Sequence, residues 1–250
     1  MEISLSAEPI FHLGKFTITN SLLTTWVVVC FLIVAAVVLK KKLKKEPKGY
    51  QNLVEMIFDG FLNVMDGVTG SRKLSIKFFP IVTTIFLFVI FCNWVGLLPG
   101  VGSIGFHELH EGKEAFVPLF RAGSADLNMT LAVAVIAVAA THFFGIVTLG
   151  VVKHVGKFIS LKNLIKNPIM FFIGILETIG EVAKTISFSF RLFGNVFAGE
   201  VLLTVVAFLV PYIAPLPFLF LEIFVGLIQA VVFAMLTLVF LSVQTMEHEH

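Results

Sequence analysis

The sequence predicts an all-α, polytopic membrane protein: about five transmembrane helices, one interfacial amphipathic helix and a long C-terminal helical hairpin. Three observations carry this expectation. Hydrophobic residues make up 58% of the 250 positions, and the mean hydropathy is +0.99. Charged residues make up 14%, where a soluble domain carries about 25%. Several apolar runs reach the roughly 20 residues a helix needs to cross a bilayer. The chain reads as a single membrane domain over 1–250.

Composition also excludes some classes. No basic patch with interleaved aromatics is present, so no nucleic-acid partner is expected. Cys30 and Cys92 lie in apolar runs, far from any CxxC or Cys/His cluster. They read as small core residues, with no disulfide, metal or cofactor site implied. The first residues carry neither the basic n-region of a signal peptide nor the Arg-rich character of a transit peptide. The first apolar run is therefore expected to remain as a membrane anchor.

Residues 1–19 are mixed and read as an external tail. Residues 20–39 are apolar and β-branched, the first span, followed at once by Lys40, Lys41, Lys42, Lys44 and Lys45. Residues 50–70 place Leu53, Val54, Ile57, Phe58, Phe61, Leu62 and Met65 at helical spacing, with Glu55, Asp59, Asn63 and Asp66 between them. That is an amphipathic helix too polar to span, and its acidic face favours docking on protein over anionic lipid. Residues 76–98 form the second span, broken by Pro99-Gly100, with Trp94 suited to an interface. Residues 101–124 read as a Gly-rich external loop. Residues 126–152 form the third span, with Ser124 or Asp126 as its cap. Two long apolar segments follow, 168–210 and 216–245, joined through Pro211, Pro215 and Pro217.

Charge orients these spans. Of the 18 Lys and Arg, Lys15, Lys113 and Arg121 fall on one side, and Lys184 and Arg191 lie inside apolar runs. The other 13 fall on the opposite side, which the positive-inside rule makes cytoplasmic. The expected topology is N-terminus external and C-terminus cytoplasmic, in the inner (plasma) membrane of a bacterium rather than in an organelle.

Arg191 is the residue around which the rest is arranged. A charge at bilayer depth costs roughly 2.5–3.5 kcal/mol on insertion scales, and a guanidinium cannot escape by losing its proton. At about 100° per residue, Glu177, Glu181, Lys184, Arg191 and Asn195 fall on one stripe of the helix. Glu200 points to the opposite face, about 13 Å further toward the outside. On the last helix Glu222 lies level with Glu200, and Gln229 is seven residues deeper on the same face, level with Arg191. The spacing gives an external polar path through Glu200 and Glu222 and a cytoplasmic one through Glu177 and Glu181. A Glu181–Lys184 pair serves equally as an internal ion pair with no transport role. His142 reads as a lone packed histidine.

The stretch Phe190-Arg191-Leu192-Phe193-Gly194-Asn195-Val196-Phe197-Ala198-Gly199-Glu200 resembles the signature of subunit a of F-type ATP synthases. Residues 93–100, Ala125-Asp126-Leu127-Asn128-Met129-Thr130-Leu131 and Leu227-Ile228-Gln229-Ala230-Val231-Val232-Phe233 resemble that family in the same order. The resemblance implies a non-catalytic stator subunit that couples proton flow to ring rotation and ATP synthesis. It implies that Arg191 faces the essential carboxylate of a rotating c-ring, that Asn195, Glu200 and Glu222 line an external half-channel, and that Gln229 sits near Arg191. Glu177 matches a polar position of the cytoplasmic half-channel. The implied partners are the c-ring subunits, peripheral-stalk subunit b, the remaining synthase subunits and membrane lipid. Many members carry histidine where Glu222 stands and tyrosine where Phe240 stands. Without the resemblance, a secondary transporter binding an anionic substrate at a midplane arginine is the alternative. No inverted repeat supports it. An intramembrane enzyme lacks its Ser/His pair or HExxH motif.

Overall fold

A computed structural model describes residues 7–14, 16–44, 49–110, 113–158, 168–211 and 213–245. Lys15, Lys45, Lys48, Lys162 and Lys166, which contribute to the charge asymmetry, lie outside the described residues. The helices are α1 Asn20–Lys42, α2 Tyr50–Thr69, α3 Arg72–Val95, α4 Leu127–Leu149, α5 Val151–Phe158, α6 Pro168–Leu209 and α7 Pro215–Thr245. Five of these, all but α2 and α5, are long and apolar enough to cross a membrane. The protein is a polytopic helical membrane protein.

Two short antiparallel hairpins stand where an irregular tail and loop were expected. One pairs β1 Pro9–Leu13 with β2 Phe16–Thr19, whose β-branched Thr17, Ile18 and Thr19 suit an extended chain. The other pairs β3 Gly105–His110 with β4 Lys113–Pro118, in register from Gly105↔Pro118 to His110↔Lys113.

Helix α1 touches the bundle by one stripe only, with Asn20, Ser21, Thr24 and Val28 buried at its first turns. The rest of it faces outward, so Cys30 is exposed and not in a core, while Cys92 on α3 is fully buried. Helix α2 does dock on protein: Leu62 and Met65 pack with Phe78 and Val82 of α3 and Leu238 and Leu241 of α7. Gly70 ends it in the left-handed region at φ 65°, where a side chain would be strained.

Asp126 is the cap of α4, its carboxylate accepting from the Asn128 amide at 2.9 Å, whereas Ser124 is buried in a 3₁₀ turn. The expected third span stops short at Leu149, because Gly150 at φ 84° reverses the chain into α5. At about 1.5 Å per residue, the 42 residues of α6 measure roughly 63 Å. That is twice the ~30 Å of a hydrocarbon core, so α6 fits a bilayer only when strongly inclined.

The core sits where α3, α4, α6 and α7 meet. Val89, Ile90, Val133, Ala137, Phe188, Leu192, Val196, Ala230 and Phe233 form its centre. Contacts define two ends. At one, poor in lysine, Asn93 Nδ2 donates to the Gly226 carbonyl at 3.0 Å and Trp94 Nε1 to that of Ile223 at 3.0 Å. At the other, rich in lysine, Lys77 Nζ donates to Thr148 Oγ1 at 3.0 Å.

Candidate functional site

The rotation of α6 about its axis decides which side chains meet. Phe188, Leu192 and Val196 recur every four residues and are buried. Phe188 lies against Phe233 and Phe240 of α7, with ring centroids 4.9 and 5.5 Å away. Ser189, fully buried, shares a hydrogen bond of 3.0 Å with Thr130 of α4. Such a bond within a membrane bundle contributes about 0.6 kcal/mol and at most about 1.7. Arg191 stands about 200° from Ser189 around the helix and therefore points away from the bundle. It is exposed, and among the described residues its guanidinium has no hydrogen-bond or ion-pair partner. Gly194 and Ala198, one and two turns on, are exposed on the same side and leave the surface around it low.

Glu200, eleven residues from Ser189, returns to the inner face. There it meets Arg121, which is 7% exposed although it comes from the loop before α4. Arg121 Nε donates to both Glu200 oxygens at 3.1 Å, and its NH2 donates to Oε2 at 3.0 Å. The Arg121 amide is held in turn by Thr24 Oγ1 of α1 at 3.2 Å. Glu222 of α7 is buried beside this pair. It lies against Gly199, where an added Cβ would collide with the Glu222 carboxylate. Glycine at 199 is thus what lets α7 bring its carboxylate onto the α6 backbone. Asn93, Arg121, Glu200, Thr204 and Glu222 line one cavity of about 240 Å³, room for several water molecules.

A second polar cluster forms at the lysine-rich end. Glu181 is buried, and its Oε1 accepts from Lys184 Nζ at 2.7 Å and from Gln244 Nε2 of α7 at 3.0 Å. Lys184 Nζ also lies 4.6 Å from the centre of the Phe240 ring. Glu181 Oε2 is 3.7 Å from His142 Nε2 of α4, and His142 Nδ1 is 3.2 Å from His154 Nε2 of α5.

The predicted residues are therefore divided among four places, of which the cluster holding Glu181 is one. Glu200 and Glu222 share the cavity. Arg191 stands outside the bundle, with Glu177 and Asn195 half-buried on the same helix. Gln229 is half-buried on α7, and no hydrogen bond joins it to Arg191. The stripe expected over Glu177, Glu181, Lys184, Arg191 and Asn195 splits, because Glu181 lies about 80° from Arg191 and α4 and α7 cover that side. Sequence reasoning missed Arg121, His154 and Gln244. Arg121 has one usable signal: it opens Arg121-Ala122-Gly123-Ser124-Ala125, a run too small and apolar for a solvated loop. His142 is not alone, since the reversal at Gly150 returns His154 to it. Among the described residues no group of three or more His, Cys, Asp or Glu is placed to hold a metal ion.

This arrangement defines a class: a multi-pass membrane protein built around ionisable side chains on its two longest helices, with an arginine on the longer of them that has no partner among the described residues. A family model described as ATP synthase A chain matches residues 22–242. ATP synthase subunit a of Campylobacter jejuni subsp. jejuni is 35% identical over 217 residues, covering 87% of this chain and 86% of the relative. That of Syntrophobacter fumaroxidans is 33% identical over 238 residues, covering 95% and 88%. That of Trichlorobacter lovleyi is 31% identical over 245 residues, covering 96% and 93%. The chain belongs to the ATP synthase subunit a family.

Proposed function

We propose that this chain is the proton-channel stator subunit of a rotary F-type ATP synthase, passing protons to and from c-ring carboxylates through two offset half-channels. One observation carries the reading. Arg191 stands exposed and unpaired at mid-length of an apolar helix, with one ionisable cluster toward each end of that helix. A guanidinium cannot shed its charge, so at bilayer depth it requires an anion from outside this chain. A ring carboxylate that crosses lipid neutral and ionises beside Arg191 meets that requirement. The fixed cation also blocks a straight leak, because it can hand on no proton.

The cavity divides the labour between its two carboxylates. The fork of Arg121 on Glu200 is the geometry an ionised carboxylate makes, so Glu200 serves as a standing anion. Glu222 accepts no hydrogen bond among the described residues and is the group left to take and pass the proton. Asn195 and Gln229 complete the approach to Arg191 on this reading, and Glu177 and Glu181 serve the cytoplasmic side. Each charge that crosses gains roughly 2.3 kcal/mol per 100 mV, which the offset of the paths converts to rotation. The N-terminus is external and the C-terminus cytoplasmic, in a bacterial plasma membrane. Nucleotide chemistry falls to other subunits, and subunit b anchors this chain to them.

Copurification tests the assignment. The chain should come down with a ring of small two-helix subunits, and the complex in liposomes should pump protons on ATP addition. Substrate transport by the isolated chain without such partners would overturn it.

A further inference from the structure

We infer that Glu181, His142 and His154 form a proton-transfer chain at the lysine-rich end, through which protons released near Arg191 leave the protein. This rests on the proton-channel reading and adds to it two groups on helices α4 and α5.

Glu181 and His142 each use separate atoms on their two sides. Both donors to Glu181, Lys184 Nζ at 2.7 Å and Gln244 Nε2 at 3.0 Å, are taken by Oε1. Oε2 is left toward His142 Nε2, 3.7 Å away. The opposite edge of the same ring, Nδ1, lies 3.2 Å from His154 Nε2. The path thus enters the His142 ring at one nitrogen and leaves at the other. An imidazole suits this, because it binds a proton on one nitrogen while releasing one from the other. A gap of 3.7 Å is beyond hydrogen-bond range and is closed by one water or a small side-chain rotation.

The step balances in protons. Protonated Glu181 gives its proton to His142 Nε2, leaving the carboxylate and an imidazolium. The imidazolium gives its Nδ1 proton to His154 Nε2, and His154 releases the proton on its own Nδ1 to a water. His142 is then neutral with its proton on Nε2, and tautomer exchange through water, one proton leaving Nε2 as another binds Nδ1, resets it. No bond other than N–H and O–H is made or broken, and no co-reactant is needed. An imidazole both accepts and releases a proton, so the transfer runs in either direction, as a reversible rotary machine demands.

The fold makes room for this pair. His154 is 3% exposed, and a Cβ on Gly145 of α4 would lie 2.6 Å from His154 Cε1 and 2.7 Å from Nδ1. Glycine at 145 is a notch in α4 into which α5 inserts its histidine after the reversal at Gly150. The charged groups in contact with the cluster are Glu181 and Lys184 from α6; Lys153 precedes His154 on α5 and is exposed, Lys77 of α3 lies at the same end of the bundle, and α7 contributes the neutral Gln244. Lys184, fixed between Glu181 and the Phe240 ring, repels a proton that would otherwise stay on the relay.

The test uses the assembled complex in inverted vesicles, with His142→Gln, His142→Asn and His154→Gln. Glutamine keeps an amide where Nε2 stood and asparagine one where Nδ1 stood, so each preserves one tie while carrying no proton. The relay predicts normal assembly, ATP-driven proton pumping and passive flux lower by roughly tenfold, and recovery when imidazole buffer is added on the cytoplasmic side. A structural tie would not respond to imidazole. Wild-type flux in an assembled variant, or a loss that imidazole does not reverse, overturns the relay. Failure of all three to assemble overturns it too, since a relay tolerates an amide at the same position. Arg191→Ala in the same membranes separates the two levels. If it couples normally the proton-channel reading itself fails; if it uncouples while the histidine variants pump normally, only the relay falls.

Discussion

The two ends of α6 hold a carboxylate against a cation in different ways. At the lysine-poor end, Glu200 is gripped by Arg121 from 79 positions away, and the pair opens onto a cavity. At the lysine-rich end, Glu181 is bound by Lys184 only three residues along the same helix, then closed in by α4 and α7. The first pair ties α6 to a loop and would hold α6 against α4 wherever it forms. The second is local to α6, and what joins it to other helices is the neutral Gln244, the Phe240 ring and an imidazole. The comparison separates two roles. A long-range guanidinium fork fixes a charge in place, while a local ion pair capped by histidine leaves a route for a proton.

Breaking the fork should have the largest effect. Arg121→Gln leaves a standing carboxylate without its cation and should cost about 3 kcal/mol, the low end for a buried pair because Glu200 opens onto the cavity. Assembled complex in detergent should fall accordingly. Arg121→Gln with Glu200→Gln should recover most of that loss, and recovery of proton flux with it would show that Glu200 acts as a fixed charge. Next, Glu222→Gln should cut proton uptake about 100-fold with assembly unchanged, and Glu222→His should retain more flux because imidazole titrates and an amide does not. Equal flux in both would remove Glu222 from the path. A smaller loss, about tenfold, is expected for Gly199→Ala, whose methyl displaces the Glu222 carboxylate without removing it.

The smallest effect lies outside the membrane spans. The Ser75 hydroxyl and the Arg72 guanidinium beside Asp66 on α2 hold its carboxyl below the usual range. A lowered pKa stabilises the fold above the unfolded value and loses that contribution as pH falls through the folded one. Acidification below the ordinary aspartate pKa of about 3.9 should therefore loosen α2 from α3, read as faster amide exchange in residues 59–72. Asp66→Asn should abolish the pH dependence of that exchange.

Much of this was legible from the residues. Apolar run lengths gave five long helices, and helical periodicity separated the docked, polar α2 from them. The opposition of Arg191 and Glu200 followed from nine residues at 100° each. What escaped was contact between distant segments. Arg121 was counted as a loop charge, because sequence does not tell that Thr24 and Glu200 enclose it. His142 looked solitary because its partner arrives through a glycine reversal twelve residues on. Cys30 looked like core because an apolar neighbourhood in a membrane chain is as often lipid-facing as buried.

The most direct test of the central claim is Arg191→Ala, with assembled complex, ATP synthesis and passive proton flux measured in the same membranes. Because Arg191 is exposed and holds no other helix, assembly should stay at the wild-type level. ATP synthesis should vanish, since the ring carboxylate loses the cation that makes its ionisation tolerable, and passive leak should rise, since no fixed charge separates the paths. Normal assembly with normal synthesis and no added leak would contradict the account.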